Sequence, residues 1–153
     1  MVDECAGMKL KEKHNNEGFT LIEMLIAVAI VAILVSLAVP NYSRYVARGK
    51  LTAAQADVAL VALKFENRYQ RVLSYPTTAA TDTAGLQALI PGWAPASESE
   101  DFNFTNVNPD AAGYTVLATG TSPSVAGCVI SIDNLGNKSI TNCASLVNDG
   151  QWL

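Results

Sequence analysis

Glu23 stands near the start of an apolar run that extends from Phe19 to Pro40 and contains no other charge. About twenty such residues suffice for a helix to cross the hydrocarbon core of a bilayer. An ionised carboxylate inside that run costs roughly 2.5–3.5 kcal/mol on insertion scales, so it marks a function and a partner. A short, highly charged leader precedes the run and ends at Gly18, with Lys9, Lys11 and Lys13 keeping its end on the cytoplasmic side. The arrangement predicts a chain that is inserted, cut beside the apolar segment, and left with a new amino terminus close to Glu23. A carboxylate at that depth needs an opposite charge or a hydrogen-bond donor, and the amine freed at Phe19 is the nearest.

Other catalytic chemistry is hard to place. The single histidine, His14, lies in the leader, so a chain cut after Gly18 has no imidazole for a nucleophile–base pair or a histidine metal site. Asp133, Asn134 and Asn137 lack the spacing of an EF-hand loop and read as a hairpin turn closed by Gly136. Phosphate-binding and dinucleotide fingerprints are missing from the sequence. The expectation is a protein that is not an enzyme and that has no catalytic residues, no metal and no cofactor.

The elements that must carry Glu23 are legible from periodicity. The helical pattern runs from Phe19 to about Val72 and turns amphipathic beyond Pro40. Leu51, Ala54, Val58, Val61, Phe65, Tyr69 and Val72 then step by three or four along one face. Arg48, Gln55, Asp57, Lys64, Arg68 and Arg71 fall mostly elsewhere. Pro40 removes a backbone donor and is expected to kink or locally melt the helix, and Gly49 softens it further. A long connection follows from Ser74, with a short helix around Thr83–Leu89 and an acidic stretch at Ser97–Asp101. Strand-like runs at Phe102–Val107, Tyr114–Thr119, Cys128–Asp133 and Lys138–Thr141 are separated by turn residues. The pattern predicts an α+β fold, a long N-terminal helix packed on an antiparallel sheet of three or four strands.

The order of charged leader, Gly18, Phe19-Thr20-Leu21-Ile22-Glu23, apolar run and Pro40 resembles the N-terminal signal of type IV prepilins. An ordinary secretory signal would be cut beyond its apolar region after small residues, and a plain anchor would explain neither Glu23 nor the glycine junction. The resemblance implies cleavage after Gly18 by a prepilin peptidase and N-methylation of Phe19. It also implies filament assembly through Glu23 and a proline at Pro40. Three parts follow: a leader over 1–18, a membrane and filament-core helix over 19–40, and an amphipathic helix with a globular head over 41–153. A start at Met8 would leave the mature chain unchanged. The partners implied are other pilin subunits, the peptidase, the inner-membrane assembly platform and the membrane itself. The chain would sit in the inner membrane as a single-pass protein and then in an extracellular pilus.

Cys5 would leave with the leader, and an exported chain with two remaining cysteines is expected to pair Cys128 with Cys143; two buried thiols or a metal pair are the alternatives. A C-terminal disulfide loop is also a feature of many type IV pilins. Phe65-Glu66-Asn67-Arg68-Tyr69 with Tyr75-Pro76, and Tyr114–Thr119 with Cys128–Asp133 and Gly136, resemble a minor-pilin subfamily, to which a DNA-uptake subgroup is similar. The expected function is a structural subunit, a minor pilin that enters or primes the filament. A DNA-binding or adhesive pilin and a type II secretion pseudopilin are the alternatives. The formal charge of −4 does not favour nucleic acid, because Lys138 is the one basic residue of the head beyond the helix. Trp93, Phe102, Phe104 and Trp152 read as core or rim and not as base-stacking platforms.

Overall fold

A computed structural model describes residues 19–97, 101–143, 146–147 and 152. Gly18 and the rest of the leader lie outside the described residues, as do positions 98–100 of the acidic stretch. The chain divides into two compact units between Ala38 and Val39. Its elements are α1 (Leu21–Val72), α2 (Thr83–Leu89), β1 (Phe102–Val107), β2 (Thr115–Gly120), β3 (Val129–Asp133) and β4 (Lys138–Thr141).

In the first unit the apolar stretch of α1 is exposed throughout, including Leu25, Val28, Val31 and Leu34. Among the described residues, α1 is the helix long and apolar enough to cross a membrane, with a mean hydropathy of 2.8 over its most apolar window. The local melting expected at Pro40 does not occur, since the helix continues through it. The proline nitrogen has no hydrogen to donate to the preceding turn, so that one backbone bond cannot form. The Ser43 hydroxyl donates to the Pro40 carbonyl at 3.0 Å, and the Ser36 hydroxyl to that of Ile33 at 2.7 Å.

The second unit holds a four-stranded antiparallel meander in the order β1-β2-β3-β4. Strict alternation of burial along β1, β2 and β3 shows that one face is turned inward. Register aligns Phe104 with Ala118, Ala118 with Ile130, and Ile130 with Ile140, so one fully buried row crosses all four strands. Against this core lie Ala47, Leu51, Ala54, Val58, Val61 and Phe65 of α1. Each large side chain among them gains about 1.5–3 kcal/mol from burial. Of the expected face, Tyr69 is only partly buried and Val72 is exposed, because the core ends near Tyr75 and Tyr114.

Both edges of the sheet are covered. Ala80 exchanges two backbone hydrogen bonds with Asn106 on the outer side of β1, and the Thr83 hydroxyl accepts from the Phe104 amide at 3.0 Å. On β4 the Trp152 indole donates to the Ser139 carbonyl at 3.3 Å, with the Lys138 ammonium 4.7 Å above its ring. Open strand edges invite pairing with other chains, and these contacts block it. Gly120 has no room for a side chain: a Cβ there would collide with the Val125 carbonyl.

Two polar residues of α1 depart from the expected pattern. Gln55 and Asp57 are buried, not solvated, and the segment before β1 folds back over Asp57. Asp57 accepts from the Ala96 amide at 2.8 Å, the Ser97 amide at 2.9 Å and the Ser97 hydroxyl at 2.8 Å. Removing this carboxylate strands buried donors, each costing roughly 1–3 kcal/mol. Asp57→Ala is therefore expected to lower stability by about 2–4 kcal/mol in denaturant titration of the detergent-solubilised chain.

Candidate functional sites: the exposed helix and the anchored head

Glu23 lies in the first turn of α1. The Thr20 hydroxyl and carbonyl both accept from the Glu23 amide, at 3.3 and 3.1 Å, so Thr20 caps the helix from just outside. This cap places Glu23 three residues into the helix, where a carboxylate also gains from the positive end of the dipole. The side chains of Phe19 and Glu23 are both exposed. Sequence reasoning singled out Glu23 for its charge and did not see that Thr20 fixes its position; the Thr-x-x-Glu spacing was the available signal.

Cys128 and Cys143 form a disulfide spanning 15 residues, which decides between the pairing and its alternatives. Both cysteines are buried in the main core. A loop of this length stabilises by about 3 kcal/mol in the chain-entropy model. It ties the segment after β4 to the start of β3, and the Arg48 guanidinium adds a bond from its Nε to the Leu146 carbonyl at 2.9 Å. The Asp133–Gly136 turn also forms as expected: the Asp133 carboxylate accepts from the amides of Leu135 and Asn137 and from the Asn137 side chain. The Asn137 side-chain bond leads in holding the Asp133 carboxyl below the usual carboxylate range. Its oxygens are thus committed to the turn. Gly136 takes a φ of 78° there.

A second anchor was not foreseen. Glu66 on α1 accepts from the hydroxyls of Tyr75 at 2.9 Å and Tyr114 at 3.0 Å. The rings interlock: Tyr69 stacks on Tyr75 with centroids 4.5 Å apart, and Tyr114 meets Phe65 and Tyr75 edge-on at 4.9 Å. This cluster pins the end of α1 to the connection that follows and to the residue before β2. Asp101 makes a third tie. Burial opposes its charge, but hydrogen bonds from Lys50 and Ser122 outweigh that and hold its carboxyl below the usual range.

On the exposed side of the same helix end, Lys64, Arg68 and Arg71 face Leu89, Ile90 and Pro91 across a groove of about 200 Å³. Lys64 and Arg71 also line a neighbouring cleft of about 360 Å³ with Asn67 and Gln70. Trp93, Phe102 and Phe104 are buried in the core, and Trp152 is partly buried against it, as expected.

A family model described as the prokaryotic N-terminal methylation motif matches residues 13–39. A second, described as "Type IV minor pilin ComP, DNA uptake sequence receptor", matches residues 40–131. The chain belongs to the type IV minor pilin family. It is similar to a fimbrial protein of Pseudomonas aeruginosa, 28% identical over 141 residues, which cover 89% of this chain and 82% of the relative. The type IV major alpha-pilin of Moraxella bovis is 29% identical over 147 residues, with the same two coverages. The type II secretion system core protein G of Pseudomonas aeruginosa is 28% identical over 116 residues, covering 72% and 79%. No solved structure is a significant match. The pilin is a structural subunit of a type IV pilus, with the family's long helix and small antiparallel sheet. Membership points to a structural protein that assembles with other pilins, and the apolar helix fits membrane anchoring followed by display on a pilus.

The tyrosine anchor carries a pH dependence. Burial, then the hydrogen bond and charge of Glu66, push the Tyr75 phenol up to about 12, and the same causes raise Tyr114. The folded phenols keep their protons to higher pH than unfolded ones, which titrate near 10. Their contribution to stability is therefore whole below about pH 10 and is lost as pH rises through about 12. Denaturant midpoints of wild type should fall steeply over that interval, and those of Tyr75→Phe less steeply.

Proposed function

We infer that this chain is a minor pilin of the DNA-uptake class, displayed in a type IV pilus whose bulk is made of other subunits. The match of its head, residues 40–131, to a family described as a DNA uptake sequence receptor carries this reading. The chain enters the inner membrane, a prepilin peptidase cuts after Gly18 and methylates Phe19, and the assembly platform adds the subunit to the filament. Exposure of the whole apolar stretch of α1 supports the last step, because that surface needs lipid or other helices around it.

Within this reading Glu23 sets register. In the filament it lies among apolar helices, and a methylated amine at Phe19, of its own or a neighbouring subunit, is the cation that offsets its desolvation. Pro40 serves the same stage: a helix short of one backbone bond opens there more readily when subunits are packed. A pseudopilin role is the second reading, favoured by the similarity to the secretion protein over 72% of the chain. The minor-pilin match of the head, to which the Cys128–Cys143 loop belongs, weighs against it.

Intact-mass analysis of sheared filaments and of membranes tests the reading. A chain beginning at methylated Phe19, present at trace level in filaments, with DNA uptake lost on deletion while filaments persist, is the expected result. An uncut chain confined to membranes would overturn processing. Normal DNA uptake after deletion would overturn the DNA-uptake class. Glu23→Val should be inserted and cut yet scarce in filaments on immunoblots; incorporation at the wild-type level would remove the register role.

A further inference from the structure

The cations of the second unit are unevenly engaged. Lys50 is paired with Asp101, Arg48 bonds to the Leu146 carbonyl, and Lys138 lies over Trp152. Lys64, Arg68 and Arg71 have no ion pair among the described residues, and the one bond that Arg71 makes, from its Nε to the Asn67 carbonyl at 3.2 Å, stays within its own helix turn. Their spacing of four and three puts them on one face, where like charges repel one another. All three are exposed. The nearest carboxylate in sequence, Glu66, is turned away to the hydroxyls of Tyr75 and Tyr114. Asp82, at the start of α2, is occupied in capping by the Gly85 amide at 2.6 Å. Neither the groove nor the adjoining cleft has a carboxylate in its walls.

We propose that Lys64, Arg68 and Arg71 are the phosphate-binding strip of this pilin, a groove that follows one strand of duplex DNA. The proposal rests on the DNA-uptake reading and locates its contact surface. The three cations span about 10 Å along the helix axis at 1.5 Å per residue. That distance is about three steps of a strand at 3.4 Å of rise each, so the three long side chains can each reach a separate phosphate. Asn67 and Gln70 add amide donors between the charges, and side chains of these types supply many phosphate contacts. Leu89, Ile90 and Pro91 form the second wall and limit the approach of water from that side. The glutamate–tyrosine anchor beneath keeps the helix end, and with it the strip, in place.

Phosphate contacts position without reading sequence, so this strip supplies affinity and salt dependence and leaves base discrimination to other residues. Fluorescence anisotropy of a labelled duplex with the processed full-length chain in neutral detergent is the test. Three phosphate contacts give a log–log salt slope of about −2.7, or about 40-fold weaker binding as salt rises from ~50 to ~200 mM. Each of Lys64→Gln, Arg68→Gln and Arg71→Gln should reduce the slope by about 1 on any duplex sequence. The triple variant should lose nearly all of it, while Lys64→Arg keeps it. Unchanged circular dichroism of the triple variant would confirm that the charges, and not the fold, were removed. Wild-type binding with a slope that survives in the folded triple variant would overturn the strip and leave the DNA-uptake reading standing. A triple variant that binds DNA normally but fails to enter filaments would assign the cations to an acidic neighbouring subunit and likewise overturn it. Absence of wild-type binding at low salt would sink the reading and the strip together.

Discussion

The face of α1 from Ala47 to Phe65 can leave water only against the inward residues of the sheet, and that requirement organises the whole second unit. The alternating strands offer a single apolar surface, with Phe104, Ala118, Ile130 and Ile140 in one row. Pairing a bulky phenylalanine with an alanine leaves room for helix side chains to interdigitate, as close packing demands. Small residues on the helix do the same from the other side: Ala47, Ala54 and Ala62 are all buried. A strand slipped by one residue would turn Phe102 and Phe104 into solvent, so the helix face also fixes register. Everything else in the unit can be read as closing off what this central contact leaves open.

Carboxylates do much of that closing. Asp57 holds the segment before β1, Glu66 the segment after α1, Asp101 the side chain of Lys50, and Asp133 its own turn. Each takes two or more donors or a cation, which is how a charge becomes tolerable at low exposure. The acidic composition therefore describes joints more than a repulsive surface. Counting charges over the head hid this, since a global excess of acid says little about where uncompensated charge remains. With these four carboxylates committed, Lys64, Arg68 and Arg71 stand out at the end of α1 as cations with no ion pair among the described residues.

Elements set by short periods were readable from residues alone. α2, β1 and β4 have the bounds that turn residues and alternation predict, and β2 and β3 differ by one residue at their ends. The disulfide followed from export and the cysteine count. What escaped were contacts between residues far apart in sequence. Nothing local distinguishes Asp57 from a solvated helix acid, because its burial depends on Ala96 and Ser97 about forty positions away. Val72 fits the helical period but falls beyond the edge of the core, and the period carries no information about where the sheet stops. The Phe65–Tyr69 and Tyr75-Pro76 segments were visible as motifs, yet their shared partner, Glu66, needed three dimensions.

The two ends of α1 present the same electrostatic problem with opposite signs. At Glu23 a negative charge enters apolar surroundings, and the position is defined by the Thr20 cap before any neighbour arrives. At Lys64, Arg68 and Arg71 positive charge is held together in water, on a helix end pinned by two tyrosines and a stacked ring. Desolvation makes the first charge costly until a counter-charge is supplied, so it suits a contact formed once and kept. The second group pays little while solvated and is screened by salt, so it suits a ligand that must be caught and then released. A permanent contact and a reversible, salt-sensitive one thus ask for different surroundings of charge, and α1 supplies a residue set of each kind.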